Sequence, residues 1–302
     1  MTSAPRPRTA LVTGATGFVG RKLAERLRAD GWAVHVVTRP TSDAGTVAAL
    51  AAAGCRVHVH DGTLASVTEI VGACGPDCTW HLATRFVGNH VPGDVPHLVR
   101  DNIEFGVLLL EALATTPSPA LVTVGSAWQQ YGNASYSPVS LYAATKQAFD
   151  DIAAYYAEVR RFRVVECLLT DTYGAGDRRR KLLVQLREAA RTGEPLAMAG
   201  DGAQFMDLVH VNDAVAALLV GGTRAIVAAP GTAERWAVRT GHAITVRALV
   251  DRMSAALGCA VPVRWGARPM RPREMDTPWT AGSVLPGWAP TVTLDDGLRE
   301  FR

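Results

Sequence analysis

The stretch TALVTGATGFVGRKLAERLRADG, residues 9–31, decides the fold. Thr9 to Thr13 is a short apolar run and reads as a buried strand. Residues 18–30 carry apolar side chains at helical spacing and stop at Gly31, the pattern of a helix with a glycine end. Gly14, Gly17 and Gly20 stand between the two. In this setting one glycine makes a tight turn, one lets the backbone approach a pyrophosphate and one permits close packing of helix on strand. The helix start that follows offers free N–H groups and a positive dipole end to phosphate. GxxGxxG is a weak pattern alone. Its position, directly after the first strand and opening the first helix, carries the reading. Thr16, Phe18 and Val19 are assigned to the same dinucleotide site.

The alternation continues outward from this unit. Strands are expected at 33–39, 56–60, 78–83, 120–126 and 163–170. Helices are expected at 42–53, 62–72, 96–114 and 140–161. Short apolar strands separated by helices predict βαβ units on a parallel sheet covered on both faces. Ligands of such sheets bind at the carboxyl ends of the strands. Gly62, Leu82, Ala83 and Thr84, at the carboxyl ends of the third and fourth strands or just past them, are therefore read as cofactor contacts. Past residue 170 the pattern loosens. A basic helix is expected from Arg178 to a break at Gly193-Glu194-Pro195, then strand end plus helix at 209–220. An amphipathic helix at 244–258, a strand at 260–265 and an irregular tail follow.

The chain has 302 residues, 48% hydrophobic, 20% charged and 7% aromatic, with a net charge of +3. At roughly 100–200 residues per domain this is one large domain or two modest ones. The apolar content excludes disorder as the main state. No basic stripe accompanies the small positive charge, so a nucleic-acid partner is not expected. The five cysteines, Cys55, Cys74, Cys78, Cys167 and Cys259, are an odd number. They read as structural thiols of a reducing compartment. The first residues lack an apolar signal region, and no apolar run approaches the roughly 18 residues of a membrane span. A cytoplasmic protein is expected. No His, Cys or Asp grouping has metal-ligand spacing along the chain, and no metal is predicted. There is no GxSxG elbow for a serine nucleophile.

The second strand ends in Val37-Thr38-Arg39. An acid there would accept hydrogen bonds from an adenosine ribose; Arg39 suits a 2′-phosphate and can stack on adenine. NADP(H) is read over NAD. Asp61 either meets the adenine edge or caps the following helix.

Tyr142-Ala-Ala-Thr-Lys146 is the sharpest feature. Four residues along a helix bring both side chains to one face. Lys146 is one of only three lysines among 31 basic residues. An ammonium beside a phenol is expected to lower its pKa from about 10. Bringing it near neutrality needs about 4 kcal/mol. Proton transfer to a carbonyl oxygen is then most efficient.

GATGFVG at 14–20, WHLAT at 80–84, YAATK at 142–146, DTYGAGD at 171–177 and DLVHVNDAV at 207–215 together resemble the extended short-chain dehydrogenase/reductases, over residues 9–260 or so. GSAWQQYGNASYSPVSLYAATKQAF (125–149) is similar to the NADP-dependent nucleotide-sugar 4-ketoreductases of the CDP-abequose and CDP-paratose synthase kind. The resemblance implies an α/β, Rossmann-type doubly wound sheet with a smaller C-terminal substrate-binding lobe. The cofactor domain would comprise 1–169 plus about 205–235, and the lobe about 170–204 plus 236–302. Tyr142 would be the acid, and Lys146 would hold the nicotinamide ribose. A hydroxyl after the fifth strand would polarise the substrate carbonyl. The family's usual position for it falls on Ala127, so Ser126 is chosen, with Thr123 and Ser140 as poorer options. Asn102 resembles a family asparagine that organises a water.

The 4,6-dehydratases place an Asp–Glu pair after that hydroxyl. Here Trp128-Gln129-Gln130 stands there, unable to do acid/base work but able to stack on and hydrogen-bond a sugar. The 4-epimerases usually keep NAD and an acid where Arg39 stands. Thr170, Asp171, Arg178 and Lys181 are assigned to the substrate's diphosphate. The run Arg178 to Lys181 reads equally as a solvated face. His81 and His210 are expected to be core histidines. The combined expectation is an NADPH-dependent reductase of a 4-keto-6-deoxy nucleotide sugar, homodimeric through the 96–114 and 140–161 helices. The alternatives are a 4-epimerase, a reductase of a polyketide-type ketone, or a silent NADP-binding sensor.

Overall fold

The computed structural model describes residues 6–302. Seven strands form one parallel sheet. They are β1 (Thr9–Thr13), β2 (Ala33–Thr38), β3 (Arg56–Val59), β4 (Cys78–His81), β5 (Ala120–Ser126), β6 (Arg163–Leu169) and a last strand at Ala233–Val238. Three shorter pairs add β7 (Asp171–Tyr173), β8 (Leu196–Ala199), β9 (Phe205–Met206) and β10 (Leu208–His210) to partners later in the chain or to one another. The Ala233–Val238 strand is therefore β11, followed by β12 (Ile244–Thr245) and β13 (Val263–Arg268). The large sheet has the order β11-β6-β5-β4-β1-β2-β3. Its direction of travel reverses between β1 and β4, which opens the crevice where such sheets bind ligands.

The helices are α1 (Phe18–Ala29), α2 (Ala44–Ala52), α3 (Leu64–Cys74), α4 (Val95–Val99), α5 (Phe105–Leu113), α6 (Leu141–Arg160), α7 (Leu182–Thr192), α8 (Val211–Val227), α9 (Val246–Leu257) and α10 (Leu294–Arg299). Leu23 and Leu27 of α1, Val215 and Leu218 of α8, and Trp80 fill one face of the sheet. Ile70 of α3, Leu109 and Leu113 of α5, and Phe149 and Ala153 of α6 fill the other. A third core joins Leu183 and Leu186 of α7 to Leu249 and Met253 of α9 and to Leu298. This third core is the body of the C-terminal part.

The expected strands and helices of the first half stand where the hydrophobic pattern put them, with instructive differences. The expected helix over 96–114 is α4 and α5 joined by a π-helical turn, Arg100–Glu104. The widened turn carries Asp101 and Asn102, both of which serve the cleft. The expected basic helix begins at Leu182, not Arg178, with Lys181 in the N-cap position. The four cations thus precede the helix, and the pairing of Arg179 with Asp177 and of Lys181 with Asp171 offsets their charge beside its positive end. The helix after Asp61 starts at Leu64 and is capped by Thr63, whose hydroxyl accepts from Ser66 N–H at 3.2 Å. β11, which no periodicity announced, pairs with β6 and crosses the boundary placed near 235. The irregular tail is pinned to α8. The Asp213 carboxylate accepts from Thr291 N–H and hydroxyl and from Val292 N–H at 2.7–3.0 Å.

Candidate active site

A cavity of about 1220 Å³ lies along the carboxyl ends of β1, β2, β4 and β5. Its floor is the glycine loop. Gly14 sits at φ +71°, and a Cβ there would meet the backbone of Leu82 and Ala83 at 2.6–2.7 Å. At Gly20 a Cβ would lie 2.2 Å from Gly14 O. The turn therefore tolerates no side chain, and α1 packs directly on it. No side chain caps α1, so the N–H groups of its first turn are free for an anion. Gly14, Thr16, Gly17, Phe18 and Val19 line the cavity. Gly20 lies behind them and acts through packing. This cradle fits a dinucleotide.

At the cavity's adenine end, Arg39 is half exposed, with Nη1 3.3 Å from Asp101 Oδ2. Asp101 also takes Arg85 at 2.8 Å and Arg100 at 3.2 Å. Burial alone would raise the Asp101 carboxyl; hydrogen bonds from Arg85 and Arg100, with the charges of Arg85 and Arg39, hold it below the usual range. Three guanidinium groups on one carboxylate leave an excess of positive charge beside β2. Asp61 and Gly62 also border the cavity. Asp61 does not cap α3; its Oδ1 accepts from Thr63 N–H and hydroxyl at 2.8 and 2.7 Å and so holds the capping residue in place.

At the other end Tyr142 and Ser126 reach the same cavity, with Leu82, Ala83 and Thr84 beside them. Tyr142 is the second residue of α6, whose start is fixed by Ser140 accepting from Ala143 N–H at 3.4 Å. Ser140 is thereby committed to capping. Thr123 is buried and faces a separate small cleft behind the sheet. Of the three candidate hydroxyls, only Ser126 lines the large cavity. Its Oγ also accepts from Trp128 N–H at 3.3 Å.

Lys146 lies one helical turn after Tyr142, 3% exposed. Burial lowers its pKa, while the Asp150 and Glu166 carboxylates raise it. The Tyr142 phenol is pushed up to about 12 by burial; the Thr84 hydroxyl and the Arg179 charge oppose this, and Asp150 and Asp171 add to it. The expected lowering of the phenol by Lys146 does not appear: burial raises it, and the groups that oppose burial are Thr84 and Arg179, not Lys146. The phenol keeps its proton at neutral pH, the state a proton donor needs. In cofactor-free protein the phenolate absorbance lost in Tyr142→Phe should therefore appear only as pH approaches about 12, above the value of about 10 for free tyrosine. A difference titration of the two proteins measures this.

Gln129 does not line the cavity. It is fully buried, accepts from Ser126 N–H at 2.7 Å and donates to Gln147 Oε1 and Asp150 Oδ2 at 3.0 and 2.9 Å. The loop turns its side chain under Ser126, which it positions, because an acid pair one strand away needs a donor. That pair is Asp150 and Glu166, tied to Arg235. Arg178 is likewise absent from the cavity; its charge bears on Asp43 at the start of α2. Arg179 and Arg180 line the cavity instead. Arg179 pairs with Asp177 at 2.7 Å and stacks over Phe18. Thr170 and Asp171 line the far wall, and Asp171 holds Lys181 at 2.9 Å.

Two wall residues went unnoticed in the sequence. Phe86 meets Tyr142 edge-on at 5.0 Å and Trp128 at 5.4 Å, with Lys181 5.5 Å above it. Arg271, from the tail, sits 4.8 Å over Trp128 and pairs with Glu274. Phe86 stands two residues after Thr84 and could have been found by reading further past β4. Arg271 carries no sequence signal. Asn102 is buried and accepts from Arg85 N–H and the Thr84 hydroxyl, and donates to Arg85 O and Thr145 Oγ1. His81 is a core residue bonded to Thr13 at 2.8 Å, and burial pushes it down to about 3. His210 caps α8 and faces Glu300.

Residues 10–225 match the sequence profile of the NAD dependent epimerase/dehydratase family. The chain belongs to that family. It is thus an NAD(P)-dependent enzyme of the extended short-chain dehydrogenase/reductase kind. It is 26% identical to a UDP-glucose 4-epimerase of Mycolicibacterium smegmatis over 95% of both chains. It is 28% identical to a dTDP-6-deoxy-L-talose 4-dehydrogenase (NAD(P)(+)) of Kitasatospora kifunensis over 98% of this chain and 95% of the relative. It is 24% identical to a CDP-abequose synthase of Salmonella typhimurium over 69% of this chain and 68% of the relative. No helix among the described residues is long and apolar enough to cross a membrane.

Proposed function

We propose that this family member is an NADPH-dependent ketoreductase acting on C4 of a 4-keto-6-deoxy nucleotide sugar. The observation that carries the reading is the company Tyr142 keeps. Its protonated phenol shares one cavity with the Ser126 hydroxyl and the Trp128–Phe86 aromatic wall. Residues 127–130, Ala-Trp-Gln-Gln, offer no carboxyl group beside Ser126. A dehydratase needs such a group for its carbon-bound proton; a reductase does not. The names of two relatives, a 4-dehydrogenase of a 6-deoxy sugar nucleotide and a CDP-abequose synthase, support the substrate class.

When bound, the reduced nicotinamide would supply the hydride. Gly14, Thr16, Gly17, Phe18 and Val19 would hold the pyrophosphate, and Lys146 the nicotinamide ribose. Ser126 would hydrogen-bond the substrate carbonyl, and Tyr142 would give its proton to the same oxygen. Thr170, Asp171, Lys181 and Arg271 would receive the nucleoside diphosphate. Exposed Val95 and Val99 of α4 with Tyr155 and Val159 of α6 support a homodimer through these helices.

The Arg39, Arg85, Arg100 and Asp101 cluster favours the extra phosphate of NADPH. Arg39→Asp should reverse the cofactor preference, raising Kd for NADPH by on the order of 100-fold through loss of attraction and added repulsion. Fluorescence titration with both cofactors measures it, and an unchanged preference removes the NADP assignment. For the substrate, a saturable nucleoside diphosphate isotherm supports the reading; absence of binding at millimolar ligand removes it. The epimerase relative gives a second reading, separable by stoichiometry: a reductase consumes one NADPH per product, whereas an epimerase consumes none.

A further inference from the structure

On the sheet face under α3, three ligand-type side chains from distant parts of the chain meet. His35 of β2 and His58 of β3 face each other, Nδ1 to Nε2, at 2.9 Å. Cys74, the last residue of α3, completes the group, with all three ligand atoms within 4.8 Å of one another. We propose that His35, His58 and Cys74 form a binding site for a zinc-type cation, with water as the fourth ligand.

The nitrogen pair is already near the spacing such an ion needs, and the sulfur lies within reach of it. Zn²⁺ takes imidazole nitrogen at about 2.0 Å and thiolate at about 2.3 Å in a tetrahedron. That sets the nitrogens about 3.3 Å apart and nitrogen to sulfur at about 3.6 Å. The two rings need to part by only a few tenths of an ångström, and the sulfur needs to move inward. The two nitrogens already share one proton along a single hydrogen bond. Moving that proton to the far ring nitrogen turns both lone pairs toward the same point. Cys74 ends α3, at the negative end of the helix dipole, with no basic residue in the last turn; that end favours a cation and disfavours a bare thiolate, so the thiolate forms only together with the metal bond. The Arg56 charge opposes it, but Arg56 is exposed to solvent on the edge strand. On binding, the Cys74 S–H bond breaks, a sulfur–metal bond forms and one proton passes to solvent. No electron is transferred.

The site staples α3 to the β2–β3 edge; its His58 stands two residues before His60, which follows β3 and lines the adenine end of the cavity. The probe is Co²⁺ added to the untagged full chain. The expected result is one equivalent bound, with thiolate-to-metal charge-transfer absorption and tetrahedral d–d bands. Both are lost in Cys74→Ser and kept in Cys259→Ser, which removes the exposed thiol. His58→Gln should weaken Co²⁺ by on the order of 100-fold. Zn²⁺ should raise the Tm of the parent chain and of Cys259→Ser but not that of His58→Gln or Cys74→Ser. Circular dichroism establishes that each variant is folded; Cys74→Ala replaces one that is not. No thiolate band in the folded parent, a band that survives Cys74→Ser, or one lost in Cys259→Ser overturns the proposal.

Discussion

Tyr142→Phe should lower kcat for carbonyl reduction by about 10³-fold, within the range measured for loss of a positioned general acid. The variant keeps the aromatic ring and removes only the hydroxyl. The ring's edge contact with Phe86 and its place in α6 therefore survive. Affinity for cofactor and for nucleoside diphosphate should be nearly unchanged, because neither depends on the proton. Isothermal titration together with single-turnover hydride transfer separates the two. A variant that retains turnover would mean that another group delivers the proton. A parallel loss of cofactor affinity would mean that the phenol is structural.

Gly20→Ala should be the most damaging single-methyl change in the cofactor cradle. The added Cβ falls 2.2 Å from Gly14 O and 2.8 Å from its carbonyl carbon. Both are backbone atoms of a turn already held at positive φ, so the strain cannot be relieved by swinging a side chain. Overpacking of a tight core costs about 1–3 kcal/mol, and this contact belongs at the upper end of that range. The same displacement moves the N–H groups of α1 off the pyrophosphate. Dinucleotide affinity should fall by on the order of 100-fold, since each 1.4 kcal/mol is tenfold. Gly72→Ala in α3 is the matched control. Nothing lies within 4 Å of its Cβ, so a better helix former there should stabilise by about 0.5–1 kcal/mol. Urea melts of the two variants should move in opposite directions, and only Gly20→Ala should shift the cofactor titration.

The residues the sequence placed well share one property: local spacing alone positions them. The apolar run of β1, the three glycines and the four-residue step from Tyr142 to Lys146 each fix a local geometry. The βαβ rhythm then carries them to the carboxyl edge of one sheet. Gln129 and Arg178 do not line the cavity, because Gln129 lies in the turn after β5 and Arg178 in the loop between β7 and α7, where no helix or strand period fixes the side-chain direction. The pull of Asp150 and Glu166 on Gln129, and the proximity of Asp43 to Arg178, come from segments 21 to 135 residues away. The π turn at Arg100–Glu104 was hidden because the apolar periodicity on either side of it is undisturbed. The phenol's pKa was expected to fall because a neighbouring ammonium was legible, whereas burial was not.

Taken alone, the order of apolar runs, glycines and breakers dictated the parallel sheet, its nucleotide-binding edge and the Tyr–Lys step, because backbone geometry and hydrophobic period act over only a few residues. Tertiary packing decided which way element ends point, which carboxylates and guanidinium groups face one another, and that His35, His58 and Cys74 converge. Those outcomes depend on burial and on charges brought together across the whole chain, quantities that no window of sequence contains.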